Sequence, residues 1–152
     1  MKSCFFIGHR NASQEIFPIL LETVIHHIVH YGVTEFIVGN YGDFDRMAAK
    51  AVIAAKAQYP GITLTMLLPY HPAERPITLP PGFDNTFYPP GMEKVPRKLA
   101  IVRANRYMVD HVDYLMAYAW HAASNARDLT EYTQKKGVPT TNLVVFHSDT
   151  KY

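Results

Sequence analysis

Thiols, charge of one sign and long apolar runs are what this sequence has least of. Cys4 is its only cysteine, so no disulfide can form within the chain and a multi-thiolate metal site is excluded. A single thiol also fits a reducing compartment. Fifteen lysines and arginines stand against thirteen aspartates and glutamates, a formal charge of +2, and no run of five like charges occurs. That balance lacks the basic surplus of proteins that grip a nucleic-acid backbone, so strong binding to a nucleic-acid polymer is not expected. A pocket for one or two phosphates needs only a few local donors and stays open. The apolar run from Cys4 to Ile7 is far too short for a secretion signal or a membrane span, and no later run reaches that length. The expectation is a cytoplasmic protein without membrane contact.

What is present is enough for a core. The chain has 152 residues, of which 48% are apolar, and it falls in the size range of a single domain. Cys4-Phe5-Phe6-Ile7 reads as a buried first strand stopping at Gly8. From Ser13 to Tyr31 the apolar residues Ile16, Leu20, Val24, Ile28 and Tyr31 recur at helical spacing, with Ser13 able to cap the start and Gly32 to end it. Glu35 to Val38 reads as a second strand and Phe44 to Tyr59 as an alanine-rich helix able to lie close to a sheet. Pro60-Gly61 breaks that helix, and Ile62 to Leu68 reads as a third strand buried on both faces. Eight of the eleven prolines lie between Pro69 and Pro96, which excludes regular helix or central strand there. A connection of that length is expected to act as a lid or a partner-facing arm. Helices over 96–111 and 124–136, and strands over 113–119 and 141–146, complete the alternation. The fold class expected is α/β: a Rossmann-like three-layer arrangement with a mostly parallel sheet of about five strands and helices on both faces.

In such sheets ligands bind beyond the carboxyl ends of the strands, where helix N-termini converge and glycine lets backbone approach a phosphate. Three segments occupy that edge. Gly8-His9-Arg10 follows the first strand: Arg10 can fork onto a phosphate, and His9 can donate to one or act as an acid or base. Gly39-Asn40-Tyr41-Gly42-Asp43-Phe44-Asp45 joins a strand to a helix, with spacing that matches neither the dinucleotide fingerprint nor a Walker loop. Asp43 reads as a helix cap, and Asp45 as either a first-turn carboxylate or a group holding a ribose hydroxyl. Ser124-Asn125-Ala126-Arg127-Asp128 opens the last helix, where an Asn125 cap with Asp128 in a capping box and a ligand-binding role do not exclude one another. On the third helix Arg103, Asn105, Arg106 and Asp110 form a polar cluster; Arg106 and Asp110 have the spacing of an ion pair, and one arginine is expected to face the ligand. His26, His27 and His30 read as an exposed histidine face without a third ligand, so no metal is expected. No serine lies in a nucleophile-elbow pattern.

The run from Cys4 to Arg10, that from Phe36 to Ala49, Tyr59-Pro60-Gly61-Ile62, Pro90-Gly91-Met92-Glu93-Lys94-Val95-Pro96, Asn105 to Asp110 and Tyr132 to Gly137 together resemble the YpsA-like branch of the SLOG superfamily, in the same order and over nearly the whole chain. That superfamily also takes in the DprA-like and LOG-like proteins. The resemblance implies a Rossmann-like sheet, a nucleotide-like ligand at the loops named, and self-association into dimers or larger assemblies. By position it implies Gly8, His9 and Arg10 as the first ligand loop, Gly39, Asn40, Gly42 and Asp45 as the second, and support from Arg103, Asn105, Arg106 and Asp110. The chain departs where relatives carry Gly-Gly before the last helix: it has Ser124-Asn125, so side chains stand where backbone should approach a phosphate. LOG-like enzymes, which cleave the base from nucleoside monophosphates, carry a glutamate seven residues after the first of those glycines, and counting from Ser124 that position is Glu131. A carboxylate there would stabilise an oxocarbenium-like centre; without the glycines, a charge on an exposed helix face is the favoured reading.

Three functions follow as expectations. The first is binding of a nucleotide-like, phosphate-bearing small molecule as a sensing or signalling module, with no cofactor. The second is N-glycosidic cleavage of a nucleoside monophosphate through Glu131. The third is an interaction protein that docks through residues 69–96.

Overall fold

The computed structural model describes residues 1–121 and 124–144. Strand β1 (Lys2–Gly8) carries apolar side chains at successive positions, and a strand turns these alternately to opposite faces. Cys4 and Phe6 enter one buried cluster and Phe5 and Ile7 another, so this strand is covered on both sides. Leu20 and Val24 of helix α1 (Phe17–Tyr31) and the alanines of helix α2 (Asp43–Lys56) close the first face. Ala104 and Met108 of helix α3 (Ala100–His111), with Leu129 of helix α4 (Asn125–Lys135), close the second. The expected α/β, Rossmann-like three-layer fold is what forms.

The remaining strands are β2 (Val33–Val38), β3 (Thr63–Leu67), β4 (Asn85–Phe87), β5 (Tyr114–Tyr118) and β6 (Thr140–Asn142). They form one six-stranded sheet in the order β4-β3-β2-β1-β5-β6, and every pairing is parallel. The sixth strand beyond the expected five is β4, which lies inside the proline-rich segment 69–96. Three residues between prolines give no periodic signal, and an edge position is where such neighbours are tolerated. Asp84 ties this part of the segment to β3: its Oδ2 accepts from the Leu64 N–H at 2.8 Å and from Lys56 Nζ at 2.7 Å.

Helix boundaries differ from expectation where prolines fall. The first helix is preceded by a 3-10 turn over Gln14–Ile16, which Ser13 caps by accepting from the Glu15 N–H at 3.2 Å, and Pro18 sits in the first turn of α1. The third helix starts at Ala100 after another 3-10 turn over Arg97–Leu99. Of the strand expected over 141–146, only Thr141 and Asn142 pair with β5, in a strand that begins one residue earlier at Thr140; residues 143–144 are not strand, and residues 145 and 146 lie outside the described residues.

The strand order sets where a ligand can enter. The chain runs outward from β1 through β2 and β3 to β4, then returns across the sheet to β5 on the other side of β1. The carboxyl ends of β1 and β5 therefore flank the point where the winding reverses, and the loops leaving them part to leave a crevice.

Candidate functional site

A cavity of about 230 Å³ opens at that point, at the carboxyl ends of β1, β2 and β3. Gly8, His9 and Arg10 enter its wall from β1, Gly39, Tyr41 and Asp45 from the β2–α2 loop, Asn105 from α3, and Ser124, Asn125 and Ala126 from the start of α4. Leu67, Pro69, Ile101, Val102 and Ala104 give it an apolar side.

The first two loops are stitched together by backbone. The Asp43 N–H donates to the Arg10 carbonyl at 2.7 Å, which brings the chain at Gly42 hard against Arg10. A Cβ on Gly42 would stand 2.6 Å from the Arg10 Cα, so only glycine fits this approach. Gly8 is fixed by a different neighbour, since a Cβ there would meet the Phe44 ring at 2.4 Å. Helix α2 begins on Gly42 without a side-chain cap, so the expected cap at Asp43 is corrected: its N–H is already used by Arg10 and its carboxylate turns to Arg46 at 2.7 Å.

Asp45 lies half-buried beneath this loop, and its Oδ2 accepts from the Tyr41 N–H at 3.0 Å. Burial raises its pKa from the ordinary 3.8 to about 6, against the opposing Tyr41 hydrogen bond and the cations Arg46 and Arg10. His9 is committed in a way the sequence did not show. Its Nε2 accepts from the N–H groups of both Trp120 and His121, at 2.9 and 3.0 Å. Nε2 therefore carries no proton and Nδ1 does. Desolvation first, and then His121, lowers its pKa below 6.5. The ring thus holds the turn after β5 in place while one face lines the cavity.

At the start of α4 the cap is Ser124, whose Oγ accepts from the Arg127 N–H at 3.1 Å. The expected Asn125 cap with an Asp128 capping box is corrected accordingly: Asn125 is the first helical residue, and the Asp128 N–H donates to the Ser124 carbonyl at 3.1 Å. The peptide nitrogens of Asn125 and Ala126 belong to the unpaired set that opens every helix, and both residues line the cavity.

Several expected site residues lie elsewhere. Asn40, Gly42 and Asp43 belong to the second loop but do not line the cavity. Arg103 and Arg106 are exposed on α3 outside its wall, and Arg106 lies over the Tyr132 ring at 3.9 Å. The ion pair expected between Arg106 and Asp110 is replaced, because Asp110 takes Lys136 at 2.6 Å and the Tyr132 hydroxyl at 2.8 Å. Glu131 is exposed, pairs with Arg127 at 3.0 Å one helical turn away, and borders a separate shallow cavity. Tyr41 and the apolar residues of α3 are additions; on a helix that also packs on the sheet, a pocket-facing Ile101 has the same pattern as a core residue. Among the described residues no group of three metal-ligating side chains occurs, and no helix is long and apolar enough to cross a membrane.

No family model and no curated protein matches the chain. Solved structures do, among them two DprA proteins. DNA processing protein A (DprA) from Streptococcus pneumoniae superposes with a TM-score of 0.62 at 16% identity, over 91% of this chain and 49% of that one. DprA from Helicobacter pylori, a structure described for its unique single-stranded DNA binding mode, gives 0.62 at 13% identity, over 99% and 73%.

The fold is that of DprA.

The chain spans about half the length of the Streptococcus protein. At these identities the DprA likeness concerns the fold. The superfamily and its YpsA-like branch rest on the sequence motifs alone. The likeness also corrects one expectation. Weak net charge makes strong binding to a nucleic-acid polymer unexpected, yet the Helicobacter protein, which shares this fold, is described for its single-stranded DNA binding. Net charge sums the whole chain, whereas a strand is gripped locally, so a small total does not exclude it.

Proposed function

We propose that the crevice binds a nucleotide unit by its phosphate. The observation that carries this reading is the convergence of Arg10, the glycine-lined ends of β1 and β2, and the first turn of α4 on one cavity with an apolar side. In this reading the phosphate lies between the Arg10 guanidinium and the peptide nitrogens of Asn125 and Ala126, where the helix dipole favours an anion. Asn105 supplies an amide donor. Asp45, ionised at neutral pH, accepts from a ribose hydroxyl, and the sugar and base lie against Ile101, Val102 and Leu67. Ser124 and Asn125 line the crevice where a glycine pair would lie, and the peptide nitrogens still present the donors. Glu131 stands outside the crevice, so binding without base cleavage is the activity the site supports.

A second form of the same chemistry is a nucleotide within a single strand, favoured by the Helicobacter DprA structure. Calorimetric titration with inorganic phosphate, dTMP and a short oligothymidylate separates the two. Saturable dTMP binding that Arg10→Ala weakens about 10- to 150-fold supports the crevice site, taking a lost charge-assisted contact at about 1.5–3 kcal/mol. Absence of binding by all three, or binding indifferent to Arg10→Ala, overturns it.

A further inference from the structure

Trp120, the chain's only tryptophan, stands two residues after the end of β5, whose last four residues are buried like the intervening Ala119, yet it is 52% exposed. Its side chain lies outside the crevice wall but touches it: the Trp120 and His9 rings meet edge to face with centroids 5.1 Å apart, and His9 lines the crevice. On its other side Trp120 borders a second, shallower cavity of about 390 Å³ walled by Arg127, Glu131 and Gln134. The tryptophan therefore forms the rim between two cavities. Its peptide N–H is anchored on His9 Nε2 at 2.9 Å, so the backbone that carries the indole is fixed before any ligand arrives. Its surroundings are polar, unlike the contiguous apolar patch on which a folded protein docks.

We propose that Trp120 is a stacking platform for a second base, so that the ligand is a dinucleotide or a single strand and not a mononucleotide alone. The inference rests on the crevice reading above. One nucleotide fills the crevice, the backbone crosses the His9 edge, and the next base lies on the exposed indole face above the Arg127 side of the second cavity. Stacking on an aromatic ring tolerates any base, because every base has a π-face.

The test is the affinity of dTMP and of a six-residue oligothymidylate for the wild type, Trp120→Ala and Trp120→Phe, measured by calorimetry. The wild type is expected to bind the oligomer more tightly than dTMP. Trp120→Ala weakens the oligomer about tenfold and leaves dTMP within about twofold, while Trp120→Phe keeps most of the oligomer affinity. Equal binding of the two ligands by the wild type overturns the second subsite and leaves the crevice reading standing. So does a Trp120→Ala variant that binds both as the wild type does, loses both equally, or changes only its oligomeric state in size-exclusion chromatography. Failure of both ligands to bind the wild type removes the crevice reading and this inference together.

Discussion

Replacing Asp45 with asparagine removes a charge that the fold keeps in an unfavourable place. The carboxylate is withdrawn from water beneath the 39–42 loop, and its pKa rises from 3.8 to about 6 because burial outweighs the Tyr41 N–H, Arg46 and Arg10. A folded-state value above the unfolded one means that the native state holds the proton more tightly. Its stabilising effect is complete below about pH 4 and is lost as pH climbs to about 6. At about 1.36 kcal/mol per pH unit, the cost at neutral pH is at most roughly 3 kcal/mol. Asparagine retains an oxygen for the Tyr41 N–H and carries no charge. Asp45→Asn is therefore expected to raise the melting temperature above pH 7 by up to about 6–12 °C for a chain of this size. The gain shrinks to nothing near pH 4. Circular-dichroism melts of both proteins from pH 4 to 8 measure it. A variant no more stable than the wild type at pH 7.5, or a gain that does not change with pH, refutes the burial argument.

Other substitutions test the loops that shape the crevice. Gly42→Ala places a methyl 2.6 Å from the Arg10 Cα and is expected to cost about 1–3 kcal/mol in urea unfolding as well as weakening phosphate binding. A Gly42→Ala protein of wild-type stability and affinity would show that the two loops are not locked. Ser124→Ala removes the α4 cap and is expected to lower stability by about 1 kcal/mol, checked by the same unfolding curves; no loss would return the cap to Asn125. The His9 ring is expected to be the Nδ1–H tautomer at pH 7 and to titrate below 6.5, as read from its imidazole nitrogen shifts. Because neutral His9 is the form that accepts the Trp120 and His121 N–H groups, those contacts are present above pH 6.5 and are lost as pH falls through the lowered value. Trp120 and His121 amide signals that do not move over that titration would contradict the assignment.

Periodicity was enough to read most of the architecture. Cys4 to Ile7 is apolar at every position because β1 is buried on both faces, and Leu20 and Val24 recur at helical spacing because α1 packs on one side only. The three-residue β4 was not legible, since an edge strand between prolines has neither length nor alternation. The loops that build the crevice were legible as loops, because Gly8, Gly39 and Gly42 punctuate strand ends where backbone must pass close to other atoms. The roles of single polar side chains were not. Asp43, Asp110 and Glu131 each found a nearby cation, and such pairings depend on which helix face meets which neighbour. His9 looked like a proton carrier for a ligand, whereas two peptide nitrogens across the sheet edge claim its Nε2. The net charge misled for a related reason: it records the sum of charges and not where Arg10 stands.

The central claim is that a phosphate sits between Arg10 and the opening turn of α4. Amide chemical shifts followed by heteronuclear NMR during titration with dTMP test it most directly. Saturable shifts are expected at Gly8 to Arg10, Gly39 to Tyr41 and Asn125 to Ala126, with Arg10→Ala needing at least about tenfold more dTMP to reach the same shifts. Shifts confined to another face of the molecule, or none at millimolar dTMP, would contradict it.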